Sequence, residues 1–386
     1  MLASPALGER MTDDRFGLPL ETASPAAAFA YVDGVDLLLA AEIGGEARLD
    51  AAIAADARFA LAWAARARQR QIYGRMADAR ADVAQARTLA AGAGVRTAGH
   101  VECVALAIEG APGAYARILA HLDAFPRDAV PLSLALGAYG LIAFSGRRDH
   151  DAVRRDLCER LAPRWGAEWW FDGFRGWARI EAGDVAGGMA LVDRSLDARP
   201  RNANAAHARA HGLHEAGAPE RADTFLASWL AGYDRDGVLH GHLSWHRALC
   251  ALAAGDVARA QAIYADAITP ERNRGAPLQI VADAASLLWR CEIAGARLPS
   301  ASWTNVGACA ERGFPRAGLA FGPARAARRG GGGRRGGGRA AAGRTRRDGR
   351  VRSPPVGRRR EPGRARHRRV RAARSRRGGA AAGCDA

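Results

Sequence analysis

Residues 202–217 read "NANAAHARAHGLHEAG", which puts His207, His211 and His214 within eight positions and Glu215 directly after the last. Spacings of four and three place the three imidazoles on one face of a helix. The stretch "HGHLSWH" then adds His240, His242 and His246, so six of the ten histidines lie between 207 and 246. Imidazoles one turn apart can bind zinc or a similar divalent metal through ring nitrogen. A nearby carboxylate can orient such a ligand or act as a base. The metal candidates on this reading are His207, His211, His214, Glu215, His240, His242 and His246. The HExxH order of helical zinc proteases is absent, since "AGAPE" follows Glu215.

Other chemistries find less support. The six cysteines (Cys103, Cys158, Cys250, Cys291, Cys309 and Cys384) are scattered with no CxxC pair. They suggest neither a disulfide framework nor a zinc knuckle. No GxSxG elbow stands out, and "GGGGRRGGG" lacks the Lys-Ser/Thr that would hold phosphate and magnesium.

The elements that carry the histidines repeat. A glycine closes a helix-like segment at Gly74, Gly110, Gly146, Gly183, Gly217, Gly255 and Gly295, at intervals of 36, 36, 37, 34, 38 and 40 residues. Apolar residues recur at i, i+3, i+4 and i+7 on either side, the period of amphipathic helices. Small residues stand seven before the turn (Ala67, Gly176, Ala210, Ala248) and five after it (Ala79, Gly188, Ala222, Ala260). Small side chains at such offsets allow the close helix approach that a stacked array needs. The pattern resembles the tetratricopeptide repeat. It predicts an all-α, right-handed superhelical solenoid of about seven degenerate hairpins over residues 14–322.

Read in order, "DRFGLPLETASPAAAFAYVDGVDLLLA", "AIAADARFALAWAARA", "HLDAFPRDAV", "RIEAGDVAGGMALVDRSL", "HARAHGLHEAG", "FLASWL", "HLSWHRALCALAAGD" and "DAASLLWRCEIAG" resemble the tetratricopeptide repeat protein 38 family over about residues 14–321. That resemblance implies a helical repeat protein and leaves its biochemistry open. By likeness to the tetratricopeptide repeat, the first helix of each unit lines a concave groove. The expected groove residues are then His100, Trp170, Trp177, His207, His211, His214, His242 and Trp245, with Arg68 and Gln71 further away. For Trp165, Trp169, Trp170 and Trp177, core packing between hairpins is the leading expectation, because aromatic rings bury large areas.

The net charge of +17 is unevenly spread: from Pro323 onward 22 arginines stand against Asp348, Glu361 and Asp385, which leaves the rest close to neutral. Residues 323–386 read as a disordered Arg/Gly-rich tail able to bind nucleic acid through phosphates. No aromatic residue is there to stack on bases. A one-base shift of GC-rich codons turns the tail back into helix-like sequence, so a frame-shifted reading with no selected function is expected. Sequencing the gene across codon 322 checks this. Residues 1–13 are expected to be flexible. The chain carries no signal-peptide pattern and no run of eighteen apolar residues, so a cytoplasmic protein with no membrane span is expected. The leading functional expectation is a non-catalytic scaffold that holds a protein or peptide ligand, with no cofactor. A metal-dependent hydrolase-like site at the histidines and nucleic-acid binding through the tail are the alternatives.

Overall fold

The structure is a computed structural model and describes residues 12–314. The expected tail at 323–386, and most of the expected flexible N-terminus, lie outside the described residues; Thr12 and Asp13 form a short strand. That strand pairs antiparallel with Pro19–Leu20. The rest is an all-α helical repeat solenoid. Its hairpins are α1 (Pro25–Ala40) with α2 (Gly45–Ala55), α3 (Ala60–Ile72) with α4 (Met76–Ala90), and α5 (Val95–Glu109) with α6 (Ala114–Ala124). Next come α7 (Ala129–Leu136) with α8 (His150–Trp165), α9 (Trp169–Glu181) with α10 (Val185–Ala198), and α11 (Ala203–Glu215) with α12 (Pro219–Leu230). The last are α13 (His240–Ala253) with α14 (Val257–Ile263), which runs on into a π turn, and α15 (Pro277–Ile293) with α16 (Ser300–Gly313). No helix among the described residues is long and apolar enough to cross a membrane.

All seven turn glycines lie between the two helices of a hairpin, with φ between 67° and 93°. Only a residue without Cβ takes that conformation cheaply. The first hairpin lies outside the glycine series because Ala41 adopts φ 58° at the end of α1 instead. Side-chain caps fix other starts: Ser24 accepts from Ala27 N–H, Asp184 from Gly187 N–H, and Asn202 from the N–H groups of Asn204 and Ala205.

The small residues sit where helices touch. Ala67, Ala79, Ala210, Ala222, Ala248 and Ala260 are all buried. A Cβ on Gly176 would lie 2.7 Å from the Gly188 carbonyl oxygen and 2.7 Å from a Val192 methyl. Helix propensity alone favours alanine over glycine by roughly 1 kcal/mol, but this contact opposes it with backbone that cannot yield. Gly176→Ala is therefore expected to lower stability, by about 1–3 kcal/mol for overpacking. Chemical denaturation of the full chain measures the sign.

The array also closes on itself. Glu42, just past α1, accepts from Arg199 Nη2 at 2.7 Å and Arg201 Nε at 3.0 Å. Asn204 Nδ2 donates to the Leu39 carbonyl at 2.9 Å, and the Tyr233 hydroxyl donates to that of Ala41. The Gly74 turn sits against Pro277 at the start of α15. A cavity of about 270 Å³ lies inside, with walls from the first helices of seven hairpins: α1, α3, α7, α9, α11, α13 and α15.

Candidate metal centre

Two helices bring four imidazoles together. His207 and His211 lie one turn apart on α11, and His242 and His246 one turn apart on α13. The Nε2 atom of His207 stands 2.9 Å from Nε2 of His211 and 3.0 Å from Nε2 of His242. Nε2 of His246 stands 3.3 Å from that of His242. Nitrogen atoms of His207, His211 and His246 all fall within 4.8 Å of one another. Donors arranged tetrahedrally about 2.05 Å from zinc would be about 3.3 Å apart, close to these separations.

Carboxylates hold two of the rings from behind. His211 Nδ1 bonds Glu181 Oε1 at 2.7 Å, and His242 Nδ1 bonds Asp283 Oδ2 at 2.8 Å. A carboxylate keeps the ring hydrogen on Nδ1 and leaves Nε2 as a bare lone pair, the usual support behind a metal-ligating histidine. Both lone pairs then point at His207 Nε2, which carries at most one hydrogen. Extra protons are disfavoured: burial, with the other rings adding to it, holds His207 and His246 well below the ordinary imidazole range. Burial alone would raise the Glu181 carboxyl, yet the bond from His211 brings it below its usual value. A divalent cation fits the donor set, and the two carboxylates behind the rings match its charge.

The surroundings stiffen the cluster. Trp245 stacks on His242 with ring centroids 5.5 Å apart and planes at 10°, and donates its Nε1–H to Ser286 Oγ at 2.9 Å. Trp177 packs beside His207 at 6.1 Å, with the Arg154 guanidinium over its ring. Trp170, Trp177, His207 and His242 line the cavity, so one side of the cluster faces it. Trp165, Trp170 and Trp177 are also buried in the core, and the half-buried Trp169 packs against it.

The other candidates lie apart. His214 and Glu215 are exposed in the last turn of α11, further along the helix than His207 and His211. His240, two residues before His242, projects to the opposite side of α13 and stacks on Tyr233. His100 is wholly buried away from the cavity. Its Nδ1 bonds Asp128 Oδ1 at 2.9 Å, while His121 Nε2 and Arg96 Nε reach Asp128 Oδ2 at 2.9 and 3.1 Å. The buried carboxylate draws His100 into the scaffold. Glu181 and Asp283 escape the sequence reading. The signal that finds them is register: Glu181 lies one turn after Trp177 on α9, on the same helix face.

No protein-family model matches the sequence, and no curated protein matches it. Among solved structures, a tetratricopeptide repeat protein from Parabacteroides merdae aligns with a TM-score of 0.35 and 11% identity, over 78% of this chain and 98% of that chain.

Proposed function

We propose that this chain is a helical repeat scaffold that holds one divalent transition-metal ion on His207, His211, His246 and His242 and binds a small ligand in the adjoining cavity. The observation that carries this is the approach of His207, His211 and His246 nitrogens to within 4.8 Å of one another, with His242 Nε2 at 3.0 Å from that of His207 and with His211 and His242 oriented by carboxylates on the opposite ring nitrogen. An all-imidazole set suits zinc, copper or nickel over magnesium or calcium. Such an ion, once bound, would polarise a ligand oxygen and lower the pKa of bound water.

Glu181 and Asp283 are both engaged with ring nitrogens, and Glu215 is exposed outside the cluster. The centre therefore reads as a binding site in preference to a hydrolytic one, with hydrolysis as the alternative. The expected role of holding a protein segment is compatible with it. A cavity of about 270 Å³ is at the small end of ligand pockets, and admits a chain terminus before an extended segment. Membership of the tetratricopeptide repeat protein 38 family remains part of this proposal, resting on the ordered segments of residues 14–321.

Elemental analysis of untagged protein is the test. It is expected to find near one ion per chain, and chelator-treated protein is expected to take up one equivalent of zinc. Protein that carries no ion and takes up none of zinc, copper or nickel would overturn the reading. Hydrolysis of an ester panel that depends on the ion would instead favour the enzyme.

A further inference from the structure

Three arginines of this scaffold, the buried Arg96 and Arg154 and the half-buried Arg66, meet carboxylates. Arg66 pairs with Asp50 and Asp82, Arg96 with Asp14 and Asp128, and Arg154 with Asp151. Arg68, half-buried on the cavity wall contributed by α3, differs from these three. Its Nη1–H donates to Gln71 Oε1 at 2.7 Å, and its Nε–H is buried with no partner. Among the described residues no carboxylate pairs with it. Burial pushes the guanidinium down to about 10, and no negative charge opposes that push.

An uncompensated cation in a water-poor site is costly, and proteins normally place an anion against it. Guanidinium geometry matches a carboxylate through two parallel hydrogen bonds. A donor from the α9 wall, the Trp170 Nε1–H, is likewise buried without a partner, as is the acceptor Gln69 Oε1 on α3. The remaining walls include the aromatic faces of Phe174 and Trp177. A carboxylate on an apolar or aromatic body satisfies both halves of the cavity.

We propose that the cavity takes an organic carboxylate, with its anionic end on Arg68 and its apolar body against Trp170, Phe174 and Trp177. This rests on the reading of the cavity as a ligand site, and not on the ion being present. The carboxylate belongs either to a small organic acid or to the C-terminus of a peptide.

Calorimetric titration of the full chain, zinc-loaded and chelator-treated, tests it with named probes. These are benzoate and benzamide, N-acetylphenylalanine and its amide, N-acetyl-glycyl-phenylalanine, and inorganic phosphate. Each acid is expected to bind at least tenfold more tightly than its amide. Arg68→Met is expected to weaken the acids at least tenfold and leave the amides unchanged. The variant is also expected to melt no lower than the parent, since it removes a charge with no counter-ion and a buried unpartnered Nε–H, so a loss of binding is not a loss of folding. Tighter binding of the dipeptide than of N-acetylphenylalanine assigns the carboxylate to a peptide terminus, and the reverse assigns it to a small acid. Equal affinity for acid and amide, preference for phosphate, or full acid binding by Arg68→Met overturns the proposal. Acid binding without zinc uptake defeats the metal reading alone; zinc uptake without acid binding defeats this one alone.

Discussion

Changing His207 to alanine is expected to take metal content from near one ion per chain to below about a tenth. His207 stands at the junction of the cluster, in contact with both His211 and His242. Without it the ring that contacts both helices' histidines is gone, and His211 keeps only the wider approach to His246 across the two helices. Zinc should raise the melting temperature of the parent, because a ligand present at 100 times its Kd stabilises the native state by about 2.7 kcal/mol. The alanine variant should show no such rise. Glu181→Gln and Asp283→Asn keep all four rings but weaken the grip on Nδ1. They are expected to lose roughly 10–100-fold in zinc affinity. A His207→Ala chain that still holds a full equivalent would show that the imidazoles converge for packing alone.

Asp128 carries the second large effect, on stability. Its carboxylate bonds His100, His121 and Arg96, and Arg96 also reaches Asp14 at 2.9 Å and the Pro19 carbonyl. Removing the carboxylate leaves the buried Arg96 short of its main counter-charge, so Asp128→Ala is expected to cost about 3–5 kcal/mol. The pH dependence follows from the same group. Burial opposes ionisation, but His100 and Arg96 hold Asp128 well below the ordinary carboxylate value. Its contribution is complete above the unfolded value of about 3.9 and is lost as pH falls below it. Burial also holds His100 below its ordinary 6.5 despite Asp128. The unfolded chain therefore takes up that proton first, and stability declines from about pH 6.5 downward. Asp128→Asn should lessen the loss below pH 4 and keep the one above it, as urea unfolding at a series of pH values would show; Glu159 and Glu181, also held below the ordinary carboxylate value by their partners, keep the remainder.

The repeat was legible because its punctuation has one cheap solution: a left-handed turn needs glycine, and seven glycines at even spacing declare seven hairpins. The eighth, α1 with α2, turns at Ala41 and leaves no such mark. The cluster was half legible. Both histidine pairs that converge are spaced by four, the helical turn. His214 lies in the last turn of α11, almost a turn beyond His211, and the two-residue step from His240 to His242 crosses to the other side. Arg68, Trp177 and His211 each stand six residues before their turn glycine, so aligning units on that glycine puts all three in one register. What sequence spacing hides is which unit comes back against which. Asp128 likewise collects partners from two helices, His100 and Arg96 on α5 and His121 on α6, and no local pattern announces that.

The return of α1 onto the units around Arg199 and Tyr233 changes how the chain should come apart. An open repeat array frays from its ends, one unit at a time, since each unit depends only on its neighbours. Here Glu42 and Arg199 are 157 positions apart, and Ala41 and Tyr233 are 192 apart. The first hairpin is thus anchored by a distant one, and neither can peel away without breaking the other's contacts. Unfolding should then be more nearly all-or-none than repeat architecture alone implies. Refolding should be slower, because the distant join closes a long loop before its contacts repay the entropy.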